Sequence, residues 1–187
     1  NVLSRQGINF EWIDTRDPQS IKKRIKKNTK LIHVESPTNP LLELCDIEAT
    51  SKICKSQNVL LSVDNTFMSP YGQRPLELGA DISMQSSTKS LSGHSDVLGG
   101  VLTTNDNELH ERLQFMLKAT GGVPSPFDNW ITLRSTKTLS LRYQKATENA
   151  YELANWLSSQ KNIKKTIYPG LESHPQHAIA KKQQLSP

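Results

Sequence analysis

An α/β fold, with a mostly parallel sheet flanked by helices, is predicted by three observations. Short apolar runs bounded by turn residues alternate with longer segments whose apolar residues recur every three or four positions. One run, Val59–Val63, lies between Asn58 and Asp64-Asn65 and is apolar except at Ser62, as expected of a central strand buried on both faces. Past the break at 121–126, from Gly121-Gly122 to Pro124-Ser125-Pro126, the chain turns mostly helical.

Lys22, Lys23, Arg24, Lys26, Lys27 and Lys30 crowd one segment, but Ile21 and Ile25 stand four apart within it. That spacing puts an apolar stripe on one helix face and the cations in water. No aromatic residue interleaves with them, so a nucleic-acid stacking platform is not indicated. Lys30 to Glu35 reads as a short buried strand, and Ser36-Pro37-Thr38-Asn39-Pro40 as the turn after it. Asp46 is an N-cap for a helix to about Gln57, with Ile47, Ala49, Ile53 and Cys54 as its apolar face. Strands follow at 59–63, at 82–85 after the Gly79-Ala80-Asp81 turn, and at 97–103. Asn107 opens a helix through about Lys118, carrying Leu109, Leu113, Phe115, Met116 and Leu117. One helix is expected at 127–138 and a longer one from about Ser140 to Gln160, with Ala146, Ala150, Leu153, Ala154 and Leu157 apolar. Thr166-Ile167-Tyr168 is placed as the start of another strand. Trp12, Trp130 and Trp156 are taken as packing residues.

Composition narrows the function classes. The 187 residues suit one large domain, or a domain plus an arm, with enough chain to bury a core. No run approaches the ~18 apolar residues of a membrane span. The start, Asn1-Val2-Leu3-Ser4-Arg5, shows neither an apolar signal core nor an initiator Met, and Ser186-Pro187 shows no stop logic. These ends are read as those of a fragment. Cys45 and Cys54 are expected as small buried hydrophobes.

Two strand ends carry chemistry. Asp64 follows a buried apolar strand, where an unpartnered carboxylate is costly, so a cationic or donor partner is expected. Alone, such an aspartate is as well explained by a turn. Ser86-Ser87-Thr88-Lys89-Ser90 follows the next strand. Hydroxyls beside open backbone amides can hold a phosphate, and a lysine in a site can form a Schiff base with an aldehyde. Pyridoxal-phosphate (PLP) enzymes need a phosphate cradle, such a lysine and a carboxylate in one pocket. The Lys89-Ser90 pair is not a P-loop, because residues 83–88 contain no glycine. His94, Ser95 and Asp96 are adjacent on one segment and cannot converge as a hydrolase triad. His174 and His177 flank Pro175 and lack a nearby third ligand, so a surface turn is expected rather than a metal site.

The motifs appear in a specific order: Glu35-Ser36-Pro37-Thr38-Asn39-Pro40, Asp64-Asn65-Thr66-Phe67-Met68-Ser69-Pro70-Tyr71, Gln73-Arg74-Pro75-Leu76, Ser86-Ser87-Thr88-Lys89, Gly93-His94-Ser95-Asp96, Val123-Pro124-Ser125-Pro126-Phe127-Asp128 and Tyr168-Pro169-Gly170-Leu171. In this order they resemble the Cys/Met-metabolism family of PLP-dependent enzymes, the trans-sulfuration enzymes, and the cystathionine γ-lyase branch above all. The resemblance implies the large domain of the aspartate-aminotransferase type (fold type I). It implies pyridoxal 5'-phosphate as cofactor. Lys89 would be the Schiff-base lysine and proton shuttle, Asp64 the partner of the pyridine nitrogen, Ser86 and Thr88 the phosphate ligands, and Asn39 a contact to the ring oxygen or the substrate side. Residues 1–139 would belong to the PLP-binding large domain, 140–165 to a connecting long helix, and 166–187 to the start of a smaller C-terminal domain.

The activity so implied is γ-elimination of cystathionine to cysteine, 2-oxobutanoate and ammonia, in a cytoplasmic homo-oligomer built as a dimer of dimers at full length. Cystathionine γ-synthase, cystathionine β-lyase and methionine γ-lyase share the cofactor machinery and remain open, as does a truncated non-catalytic homologue. Family members are longer at both ends. The extra parts supply a Gly-rich phosphate contact, a ring-stacking aromatic residue, cross-subunit contacts and the arginine for the substrate carboxylate. The chain alone is therefore expected to be inactive. Gln85 and Ser87 depart from the family's usual aromatic residue and alanine.

Overall fold

A computed structural model describes residues 3–185. Asn1, Val2, Ser186 and Pro187, on which the expectation about the chain ends partly rests, lie outside the described residues. A four-stranded sheet runs in the order β1 (Leu31–Glu35), β2 (Leu60–Asp64), β3 (Ile82–Ser86), β4 (Gly100–Thr103). The first three strands are parallel, with Glu35 opposite Asp64 and Asp64 opposite Met84. The register sets the carboxyl ends of β1, β2 and β3 side by side, where ligands gather in open parallel sheets.

The first layer of cover comes from α1 (Pro18–Arg24) and α2 (Ile47–Ser56). Asp17 caps α1 through the Gln19 amide, and Asp46 caps α2 by accepting from the Ala49 amide at 2.9 Å. The core between these helices and the sheet holds Ile21, Ile32, Val34, Cys45, Ile47, Cys54, Leu61 and Val63. Both cysteines are free and fully buried, and burial pushes each thiol up to about 11. The lysines of the basic run are all exposed, while Ile21 is buried. Helix α1 stops at Arg24, so the run is half helix and half loop.

A short helix, α3 (Ser69–Gly72), follows β2. Then come α4 (Asn107–Thr120), α5 (Pro126–Thr136), α6 (Leu139–Ser159) and α7 (His177–Gln183). Helix α6 packs on α3 and α5 and on the segment after β3. The residues around α7 fold back onto the turns that follow β1 and β2. Gln176 pairs with Leu44 through both its amide nitrogen and oxygen, and Leu185 donates to the Gly72 carbonyl at 2.7 Å.

Five expectations change. The strand placed at 97–103 forms only from Gly100, runs antiparallel to β3 and is exposed throughout. Its Gly99-Gly100 start is too permissive to extend the ladder earlier. Residues 166–168 form no strand and join no ladder among the described residues. The tryptophans are not buried: Trp12 is 95% exposed and Trp130 and Trp156 are 58% exposed, and Trp130 stacks on Phe127. The apolar stripe of α4 is likewise open to solvent, as α4 has no buried residue. On α2 it is Thr50 and Ser51, rather than Ala49 and Ile53, that join Ile47 and Cys54 inside. Ser51 manages this by donating to the Gly79 carbonyl at 2.6 Å.

Candidate active site

The site is built where β2 and β3 end. Asp64 is the last residue of β2 and half-buried. Its Oδ1 accepts from the Thr66 amide at 2.9 Å, a tight turn that a short carboxylate favours. Its other carboxylate oxygen takes part in no ion pair or hydrogen bond among the described residues. Thr66 in turn accepts from the Ser86 amide, through Oγ1 at 2.8 Å. One threonine thus ties the carboxylate-bearing turn of β2 to the last residue of β3.

Beyond Ser86 the chain makes one π-helical turn, Ser87–Leu91. The Ser92 amide returns to the Ser87 carbonyl at 3.0 Å, and the Gly93 amide to the Lys89 carbonyl at 2.7 Å. Lys89 itself leaves the helical region, with φ −91° and ψ −124°. π-Turns of this kind concentrate at functional sites. The turn is pinned to the start of β4: the Thr88 hydroxyl accepts from the Gly99 amide at 3.0 Å, and the Ser87 amide donates to the Gly99 carbonyl at 2.9 Å.

Lys89 is exposed and reaches a cavity of about 900 Å³. Thr88, Ser90, Asp96 and Arg142 share its wall with Pro37, Leu42, Phe67, Tyr143 and Tyr168. Burial pushes the Tyr143 phenol up to about 12, so it stays a neutral donor. Its ring closes over Gly72, where a Cβ would overlap the phenol, and its hydroxyl rests 3.6 Å from Met68 Sδ.

Of the five residues singled out in the sequence, Lys89 and Thr88 wall the cavity directly. Asp64 and Ser86 stand at the neighbouring strand ends, joined through Thr66. Asn39 is exposed on the turn after β1, beside Pro37, which does line the cavity. Sequence reasoning gave no role to Thr66 or Arg142. Thr66 carried a local signal, an Asp-x-Thr turn at a strand end. Arg142 carried none, since it lies 53 positions from Lys89 and meets that turn only in the fold.

The donor set fits the cofactor expected from the motifs. Among the described residues it offers an amine without an ion-pair partner, a carboxylate with one open oxygen and a half-buried Ser86 hydroxyl that is not engaged. Gln85, one of the two departures, is buried on the opposite face of β3 and leaves its Oε1 without a hydrogen-bond partner.

Comparison with known proteins gives one consistent answer. The chain is 47% identical over 182 residues to a probable cystathionine γ-synthase of Herpetosiphon aurantiacus, covering 97% of this chain and 57% of that protein. It is 45% identical to a cystathionine β-lyase of Coxiella burnetii (98% and 48%) and 46% identical to a cystathionine γ-lyase of Bacillus subtilis (97% and 48%). The chain spans about half the length of the curated relatives it matches. Among solved structures, metB from Corynebacterium glutamicum superposes with a TM-score of 0.97 at 45% identity, over 99% of this chain and 48% of that one. A cystathionine γ-lyase from Lactobacillus plantarum, complexed with L-serine, does so with a TM-score of 0.97 at 40% identity, over 99% and 49%. With the family model for Cys/Met metabolism PLP-dependent enzymes matching residues 1–186, the chain belongs to that family.

Proposed function

We propose that the protein carrying this chain breaks carbon–sulfur bonds in a sulfur amino acid with pyridoxal 5'-phosphate, and that its reaction is γ-elimination of cystathionine to cysteine, 2-oxobutanoate and ammonia. The observation that carries the reading is the Lys89 amine in a cavity at the strand ends, with Asp64 and Ser86 tied together beside it by Thr66.

When bound, the cofactor supplies an aldehyde for an amine and a ring that withdraws electrons from the substrate's α-carbon. Lys89 Nζ holds the cofactor and then carries the proton taken from the substrate's Cα. The open oxygen of Asp64 serves the ring nitrogen, keeping it protonated by charge and hydrogen bonding. Ser86 and Thr88 serve the phosphate. Asn39 contacts the substrate side. Tyr143 and Phe67 line the cavity that the amine reaches. The division at 139 and 165 into large domain, connecting helix and start of a smaller domain belongs to the same reading, as do a homo-oligomeric assembly and a cytoplasmic setting.

Cystathionine γ-lyases from Bacillus subtilis, Dictyostelium discoideum and Rattus norvegicus, each at 46% identity, support γ-elimination. The synthase and β-lyase relatives, at 47% and 45%, support a second reading in which the same site joins or cuts elsewhere along the thioether. The products decide. Full-length protein given cystathionine should release 2-oxobutanoate and cysteine. Pyruvate with homocysteine would make it a β-lyase, and formation of cystathionine from cysteine and an activated homoserine would make it a synthase.

A further inference from the structure

Arg142 stands on α6, and its guanidinium lies on the turn that carries Lys89. Nη1 donates to the Ser90 carbonyl at 2.8 Å. Nη2 donates to the Ser135 carbonyl at 3.0 Å and reaches the Leu91 carbonyl at 3.5 Å. Nε donates to the Thr138 hydroxyl at 3.2 Å. None of these acceptors is a carboxylate, so the cation is spent on backbone carbonyls and a hydroxyl. Two of the four belong to the residues that directly follow Lys89.

A rigid, planar fork of donors suits this use, since it fixes two peptide planes at once. The turn needs such a tie. Lys89 breaks the helical ladder with its ψ of −124°, and Gly93 closes the turn at φ +74°. Gly93 is also where the guanidinium seats: a Cβ there would overlap Arg142, and the positive φ would strain any other side chain. Arg142 and Lys89 line the same cavity.

We infer that Arg142 is a positioning residue, which fixes the 89–93 turn so that Lys89 Nζ is presented to the cofactor. It acts through Lys89 rather than by touching substrate. The inference rests on the reading of Lys89 as the cofactor's anchor.

The test uses the full-length protein with Arg142→Met and Arg142→Lys. Three quantities are followed: the rate at which PLP becomes borohydride-fixable on Lys89, the visible circular dichroism of the bound cofactor, and thermal unfolding without cofactor. Losing charged hydrogen bonds to two carbonyls should slow attachment by about ten- to a hundredfold. The dichroism should weaken as the cofactor loses its fixed orientation, and unfolding should stay cooperative. Millimolar methylguanidinium should restore part of the rate in Arg142→Met. Arg142→Lys, which keeps the charge but loses the fork, should fall between. A normal attachment rate and dichroism in Arg142→Met would overturn the inference. If that variant does not fold, the same normal values in Arg142→Lys would do so. If PLP in the unaltered protein is fixed to another lysine, the reading of Lys89 fails and this inference with it. If it is fixed to Lys89 while both variants behave normally, only the role of Arg142 is lost.

Discussion

Thr66 Oγ1 accepts the Ser86 amide at 2.8 Å, while the Thr66 amide donates to Asp64 Oδ1 at 2.9 Å. A single residue, through its backbone amide on one side and its hydroxyl on the other, therefore links the carboxylate at one strand end to the backbone at the next. Thr66→Val keeps the shape and removes the acceptor, leaving the Ser86 amide short of a partner. A lost hydrogen bond of this kind is worth about 1 kcal/mol. PLP affinity, measured by fluorescence titration, should fall about fivefold to tenfold, and Thr66→Ser should recover it. Equal affinity in Thr66→Val would show that the two strand ends are set by the sheet alone.

Lys89 and Asp64 should fail in different ways. Lys89→Ala should bind PLP without the borohydride-fixable link, and peptide mapping should find no reduced cofactor elsewhere. Asp64→Ala should still fix PLP on Lys89, yet lose turnover by about 10²-fold or more, as other preorganised electrostatic groups do. Near-normal turnover in Asp64→Ala would remove Asp64 from the cofactor's ring.

Strand β2 was legible because burial of successive residues on both faces leaves a nearly continuous apolar run, whereas β1, expected to be buried, is exposed at Leu31 and His33; Asp46 was legible because a cap is a local signal. The anchor turn was legible as a motif, but not as a π-turn, since nothing local encodes a hydrogen bond from Ser92 back to Ser87. The three tryptophans misled for a related reason. A large aromatic residue is usually covered, but what would cover it is set by tertiary structure and not by its neighbours in sequence. Strand β4 was misjudged in length because Val97 is buried without belonging to a ladder. Arg142 was invisible because its acceptors are carbonyls, which every residue has.

The turns after β1 and β2 are held by amide side chains. Gln183 Nε2 donates to the Cys45 carbonyl at 3.0 Å and to Gln73 Oε1 at 3.2 Å, and Gln183 Oε1 accepts the Ile47 amide at 3.3 Å. Gln73 passes this on, donating to the Ser36 carbonyl and to Asn65 Oδ1, both at 2.8 Å. All of these groups are buried, so Gln183→Leu leaves several without partners. The expected loss of stability is about 2–4 kcal/mol, from unsatisfied groups at about 1–3 kcal/mol each. Urea denaturation should show it as a lower midpoint with an unchanged slope. A loss below about 0.5 kcal/mol would mean that water replaces the glutamine.

His174 gives the fold a pH dependence whose sign is set. Burial, then the charges of Lys165 and His177, hold its pKa below the ordinary value of 6.5. Its Nδ1 accepts the Gln176 amide at 3.1 Å, which only an unprotonated nitrogen can do. Gln176 is the residue that pairs with both sides of the Leu44 peptide, so the histidine's proton bears on the turn after β1. The folded state resists the proton and the unfolded chain does not, so the unfolded state binds more protons as pH falls through 6.5. The contribution is complete above that pH and shrinks below it. Urea midpoints should therefore drop between pH 7.5 and pH 5.5, and His174→Asn should drop less over the same interval. Parallel pH profiles for the two proteins would show that His174 is no more burdened by a proton folded than unfolded.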